Sequence, residues 1–191
     1  MDITLIVEAL KTRAATLGGR VAGAAEFKRL EETANLIMPA AYVIPLDDNA
    51  EPQASPNSYS QVLRDSFAVI VVVSNAPDER GQTAVTSMHL QRKELFTALL
   101  GWEPDTEHGP IEYEGGSLLD MDRARLYYQF EFSAPAEITE EDTWRATRNA
   151  ALPAFTEVKI DVDAIDPHDP NLGASGPDGK LESTITIAVP Q

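Results

Sequence analysis

The chain has 191 residues, no cysteine, and 31 acidic against 15 basic side chains, for a net charge of −16. That length points to one main domain with room for an ordinary hydrophobic core. The missing cysteines exclude a disulfide framework, Cys-ligated zinc and a thiol nucleophile, and a pI near 4.4 with no basic run argues against affinity for nucleic acid or an anionic membrane surface.

In chain order, Ile3, Ile6, Val7, Leu10, Ala14 and Leu17 keep helical spacing behind Asp2 as N-cap, and Gly18-Gly19 ends that helix. Residues 21–34 read as a second helix with Ala24, Phe27 and Leu30 on one side. Leu36 to Leu46 reads as a strand that Pro39 and Pro45 confine to an edge or its ends. Residues 47–58 have no large apolar side chain and read as a solvated loop or arm. Tyr59 to Asn75 is the strongest strand, because Phe67–Val73 is β-branched and apolar on both faces and must be covered on both sides.

A turn follows at 74–78, then a helix over about 79–100 with Ala84, Met88, Leu95 and Leu99 on one face and Gly101 as its stop. Pro110 to Gly116 reads as an extended segment and turn. Ala124 to Phe132 alternates apolar and polar residues, the mark of a half-buried strand. Pro135 opens a different region, in which residues 139–144 start one short helix. Val158, Ile160 and Val162, and then Ile185 and Ile187, mark two amphipathic strands joined by the Asp-, Pro- and Gly-rich stretch 166–180. A two-stranded hairpin is marginal alone in water, so its apolar face needs a sheet or another chain to lie on. The expected fold class is α+β, with this hairpin or arm as an extension.

The N-terminus reads Met1-Asp2-Ile3-Thr4, acidic where a signal peptide needs positive charge. The run Phe67–Val73 is shorter than the ~20 residues that span a bilayer. The expectation is a protein made and folded in the cytoplasm, with no membrane partner.

Catalytic patterns are missing from the sequence. His89, His108 and His168 show no ligand spacing, and neither HExxH, GxSxG nor a Gly-rich phosphate loop occurs. Asp161, Asp163, Asp166, Asp169 and Asp178 invite a calcium reading, but Ile165 and Pro167 break the EF-hand pattern. Glu112 and Glu114 point to one face of an extended segment, which fits an exposed acidic face better than acid–base work. No catalytic, cofactor or metal residue is assigned. The surplus of amphipathic strands favours assembly over catalysis, since uncovered apolar strand faces are what subunit interfaces are made from.

Several segments together resemble the tail terminator proteins of tailed bacteriophages and prophages. They are the helix at 3–17, the stretch 21–27, and Met38-Pro39-Ala40-Ala41-Tyr42-Val43-Ile44-Pro45-Leu46. The Phe67–Val73 strand, Asn75 to Gly81, and Ala98-Leu99-Leu100-Gly101-Trp102 follow. Ile111-Glu112-Tyr113-Glu114-Gly115-Gly116 and Gln129-Phe130-Glu131-Phe132 complete the series. Order and spacing agree over residues 1–133. The resemblance implies a mostly antiparallel sheet flanked by helices. It implies a homo-oligomer, a hexameric ring that caps the tail tube, stops its polymerisation and joins the tail to the neck and head.

The implied partners are the tail tube protein, a neck or connector protein, and the sheath protein where the tail contracts. DNA would pass through the lumen without specific binding. The location implied is the virion tail or neck, assembled in the bacterial host cytoplasm. Another neck or head–tail completion ring, and a calcium-dependent binding module, are the alternative readings.

Residues 134–191 lie beyond the resemblance and read as an acidic extension, which divides the chain into 1–133 and 134–191. The extension either reaches a neighbouring subunit or packs on its own domain. The interface candidates are Arg64, Trp102, Arg125 and Tyr127, with Val158, Ile160, Val162, Ile185 and Ile187 on the hairpin. Trp102 equally fits a core plug behind Gly101, and Arg64 and Arg125 equally fit surface ion pairs with nearby acids.

Overall fold

A computed structural model describes residues 1–27, 36–75, 82–163, 179, 181 and 183–189. The chain divides into two compact units, Met1–Thr143 and Trp144–Gln191. The first opens with helix α1 (Ile3–Arg13), where the Asp2 carboxylate accepts the Thr4 N–H at 2.8 Å. A 3₁₀ turn (Ala15–Leu17) closes on Gly18 and Gly19, both in the left-handed region. Then come β1 (Val21–Gly23), α2 (Ala24–Phe27), β2 (Ala40–Pro45), β3 (Asn49–Ala50), β4 (Ser60–Ser74), α3 (Gln82–Leu99), β5 (Glu112–Met121) and β6 (Arg125–Thr139).

The sheet order is β1-β2-β4-β6-β5, with β3 beside β4. Every pairing is antiparallel except β1 with β2. The fold is therefore α+β with a mostly antiparallel sheet, as expected.

One face of the sheet holds the main core. Phe67, Val69, Val71 and Val73 of β4 meet Leu126, Phe130 and Phe132 of β6. The Phe67 and Phe132 rings stack at 5.5 Å. α1 covers this face with Ile6, Val7 and Leu10, and α3 with Ala84, Met88, Leu95 and Leu99. The other face has a smaller cluster of Ala40, Tyr42, Ile70 and Val72, against which Phe27, Leu36, Met38 and Tyr127 pack. The Phe67–Val73 run is thus buried on both faces within one chain, as its composition demands.

Four expectations need correction. Val21–Gly23 is a strand and not the start of a helix. It is held in parallel register with Ala41–Val43, and the Ala41 N–H donates to the Arg20 carbonyl at 2.9 Å. The helical expectation for residues 28–34 lies outside the described residues. In the stretch 47–58, Asn49 and Ala50 pair with Arg64 and Leu63 of β4. Of the extended segment and turn expected at Pro110 to Gly116, the extended part holds but the turn does not: β5 starts at Glu112 and runs on to Met121, with bulges between Tyr113 and Gly115 and between Leu118 and Asp120.

The last correction concerns β6, which does not stop at Phe132. It continues across Pro135 to Thr139, paired with β4 throughout. The Pro135 carbonyl accepts the Gly109 N–H at 2.8 Å. A residue's N–H and C=O point to the same side of an antiparallel strand, so the missing N–H of Pro135 faces away from β4. A 3₁₀ turn (Glu140–Asp142) follows, and the Asp142 carboxylate accepts the Thr139 N–H at 2.8 Å.

The second unit has α4 (Trp144–Ala150), β7 (Glu157–Val162) and β8 (Ser183–Ala188). β7 and β8 form a separate antiparallel sheet with Val158 opposite Ile187 and Ile160 opposite Ile185. Among the described residues no helix is long and apolar enough to cross a membrane.

Candidate assembly surface

Within the β5–β6 hairpin, β5 is exposed along nearly its whole length. Its turn is locked locally: the Asp122 carboxylate accepts the N–H groups of Ala124 at 2.6 Å and Arg125 at 2.7 Å. Those two donors hold the Asp122 carboxyl below its ordinary range. Asn75, at the end of β4, donates its side-chain amide to the Asp122 carbonyl at 2.5 Å and its backbone N–H to Ala124 at 2.8 Å.

The bulge explains the two glycines of β5. Gly115 sits at φ 159°. A Cβ at Gly116 would lie 2.8 Å from both the Tyr113 hydroxyl and the Tyr128 ring, and 3.0 Å from the Gln129 carbonyl. The ring of Tyr113 is thereby laid between Phe96 of α3, at 4.7 Å, and Phe132, at 5.5 Å. Burial pushes its phenol up.

Beyond Gly116 the side chains of β5 stay open. Leu118, Leu119 and Met121 of β5 are exposed, as is Val85 of α3. Between α3 and this end of the hairpin lies a groove of about 240 Å³, lined by Val85, Met88, Leu118, Leu126, Tyr128 and Phe130, with His89 and Arg92 among its walls. β5 is the last strand of the sheet. Its outer edge meets no other strand among the described residues.

The opposite face of β5–β6 is polar. Arg64 reaches across to the Glu112 carboxylate at 2.9 Å, and the Glu114 carboxylate accepts the buried Ser133 hydroxyl at 2.5 Å. Arg125 lies 3.4 Å from the Tyr127 hydroxyl, and Tyr127 packs against the smaller core cluster. Trp102 packs against the main core with the Arg13 guanidinium 4.3 Å over its ring. Arg13 also donates to the Ala98 carbonyl at 2.9 Å, capping the end of α3 where Gly101 turns at φ 76°. The structure therefore places Arg64, Arg125 and Tyr127 on one face of the sheet and Trp102 on the other.

On the second unit, Val158, Ile160 and Val162 alternate with Glu157, Lys159 and Asp161, and the polar face pairs with itself. Lys159 meets Asp161 at 3.3 Å, and Thr184 donates to Asp161 at 2.7 Å. Ile160, Ile185 and Ile187 remain exposed. Among the described residues no group of three or more His, Asp or Glu side chains is arranged to hold a metal. Asp166, Asp169 and Asp178 lie outside them.

One cluster escaped the sequence reading. His108 is buried between two carboxylates: its Nδ1 lies 2.8 Å from Asp105 and its Nε2 3.0 Å from Asp65. Asp65 also accepts a hydrogen bond from the N-terminal ammonium of Met1. Burial acts to raise the Asp65 carboxyl, but the hydrogen bonds from the ammonium and His108 outweigh it and hold the group below its usual range. Asp105 is lowered in the same way, its burial outweighed by His108 and by the N–H of Glu107. The pair Asp105 and His108 was within local reach, but Asp65 is distant in sequence and its approach depends on the sheet. The cluster ties the start of α1 and the 105–108 loop to β4.

Comparison with known proteins adds three findings. The family model described as phage tail terminator protein matches residues 1–145. No curated protein matches the chain. Among solved structures, a chain from the virion of a native gene transfer agent particle is similar at 13% identity and a TM-score of 0.44, covering 70% of this chain and 92% of that one.

Proposed function

The chain belongs to the phage tail terminator family, and from that premise we propose that it closes into a hexameric ring that caps the tail tube and ends its polymerisation. It is a structural protein of the phage tail, and its family is not one of known enzymes. In this reading the ring sits on the last tube ring, offers its outer face to a neck or connector protein, and meets the sheath where the tail contracts. The parts come together in the host cytoplasm, and the genome passes through the lumen.

The observation that carries the reading is the family match over residues 1–145, which spans the whole α+β unit. Charge supports the passage of DNA: a subunit at −16 lacks the Lys and Arg surplus that holds phosphates. Arg64, Trp102, Arg125 and Tyr127 are proposed ring or partner contacts, as are Val158, Ile160, Val162, Ile185 and Ile187. The division into a terminator domain, 1–133, and an acidic extension, 134–191, is kept as a functional proposal, with chain-specific contacts on the part of the extension beyond the family match, after residue 145.

The test is tail length. Phage carrying a deletion of this coding sequence should make overlong tubes without heads, and supplying the protein in trans should restore one length. Tails of uniform normal length in the deletion would falsify the reading.

A further inference from the structure

We propose that the C-terminal hairpin of one copy completes the sheet of the next, lying along the outer edge of β5 with its apolar face turned toward α3. The inference rests on the ring reading for closure, but the contact itself comes from three surfaces. The first is β5, a ten-residue edge strand whose outer backbone groups have no strand partner among the described residues. Such an edge is a template for another strand. The second is the groove at its far end, where Leu118 lies open with Val85, followed along the strand by the exposed Leu119 and Met121. The third is the hairpin, whose polar face is satisfied while Ile160, Ile185 and Ile187 are not covered.

The three surfaces fit by period. Across two bulges, Tyr113, Leu118 and Met121 of β5 stand opposite Phe132, Tyr128 and Leu126 of β6, the side that packs in the main core, so a hairpin strand laid along β5 with Ile185 and Ile187 on that side continues one apolar surface. The seven open side chains, Val85, Leu118, Leu119 and Met121 with Ile160, Ile185 and Ile187, are each 43–56 % exposed. Burying them supplies the apolar part of the contact, and pairing with the outer backbone groups of β5 supplies the polar part. The donor and acceptor surfaces are different patches of one chain, so the contact is head-to-tail, the kind that closes into rings. The occupant is a second copy because each copy offers one of each surface. The hairpin lies beyond the family match, which ends at residue 145, so this clasp belongs to the extension and not to the common core.

A mixing experiment tests it. Wild-type protein at near-molar salt should scatter light as an assembly larger than two chains of 20.8 kDa. Full-length Ile187→Asp, with its hairpin spoiled, and Leu118→Asp, with its edge spoiled, should each be folded monomers by circular dichroism and light scattering. Mixed one to one, they should form a dimer and nothing larger, because one intact hairpin then meets one intact edge.

A second readout does not depend on those two variants folding. The chain has no cysteine, so a bis-maleimide should link Ser117→Cys copies to Thr186→Cys copies in a mixture. Variants that assemble as wild type, a mixture that stays monomeric, or no cross-link between copies each overturns the clasp. Protection of Ile187 within a monomer would mean that the chain covers its own hairpin, and a cross-link only to a different virion protein would mean that the edge serves that partner. Either result also overturns it. None of these outcomes touches the tail-length test, so the clasp and the terminator reading fail separately.

Discussion

Gly116 shows how one missing methyl group shapes the surface. With three atoms within 3.0 Å of its would-be Cβ, Gly116→Ala must push aside Tyr113, Tyr128 or the Gln129 carbonyl. Overpacking of this kind costs about 1–3 kcal/mol, and the midpoint of urea unfolding should fall accordingly. Gly101→Ala meets no neighbour but demands a left-handed Cβ, at about 1–2 kcal/mol. Asp65 gives a pH prediction. Its carboxyl is lowered in the fold, so its contribution is complete above the ordinary value of about 3.9. It fades as the pH falls through the lower folded value. Urea stability should decline from about pH 5 downward. Asp65→Asn, which takes the anionic partner from the Met1 ammonium and one of two from His108, should be less stable at pH 7 by about 1–3 kcal/mol and show a shallower acid branch.

At the scale of elements, α3 separates two kinds of apolar residue. Leu95 is fully buried in the main core and Val85 is open. Leu95→Ala should cost about 2–5 kcal/mol, whereas Val85→Ala should leave the unfolding midpoint of the single chain nearly unchanged. The two belong to the same helix and look alike in sequence. Period showed where α1, β4 and α3 run, because a buried face imposes its spacing on the residues that fill it. The misreadings share one cause, a partner distant in sequence. Residues 21–23 join a helix only through the spacing of Ala24, Phe27 and Leu30 after them, and the edge of β2 takes them as a strand. Asn49 and Ala50 have no apolar signal, and β4 holds them only because it extends that far. Pro135 reads as a breaker until Gly109 is seen on the side of its missing N–H. Tyr113 to Gly116 reads as a turn until the neighbouring rings show a bulge with no room for a side chain.

For the whole molecule, charge opposes self-association. Subunits at −16 repel one another, and salt at about 0.1 M already screens beyond ~10 Å. Assembly by apolar surfaces and backbone pairing should therefore strengthen from low to near-molar salt, as read by light scattering. A ring that dissociates on adding salt would show that attractive ion pairs dominate the contact. The candidate surface itself was only half legible. Alternation marked the hairpin's Val158, Ile160, Ile185 and Ile187 as needing a cover, which the structure leaves them lacking on Ile160, Ile185 and Ile187. It did not disclose the β5 edge or the groove beside it, because residues 117–121 carry no strand alternation and their pairing with β6 runs through bulges. Which apolar residues stay open depends on where α3 ends relative to β5, and sequence spacing does not encode that offset.

The continuity of β6 has a mechanical consequence. The strand that carries Phe130 and Phe132 through the core runs on, without a break, to Thr139 and the turn before residue 144. It is registered against β4 over the fifteen residues of both strands. A pull delivered along the strand through residue 143 is resisted by all of those pairs at once, in shear, instead of peeling them one by one. A subunit held through residue 143 can thus bear load without unravelling from that end, since the strand that crosses the core is also the tether.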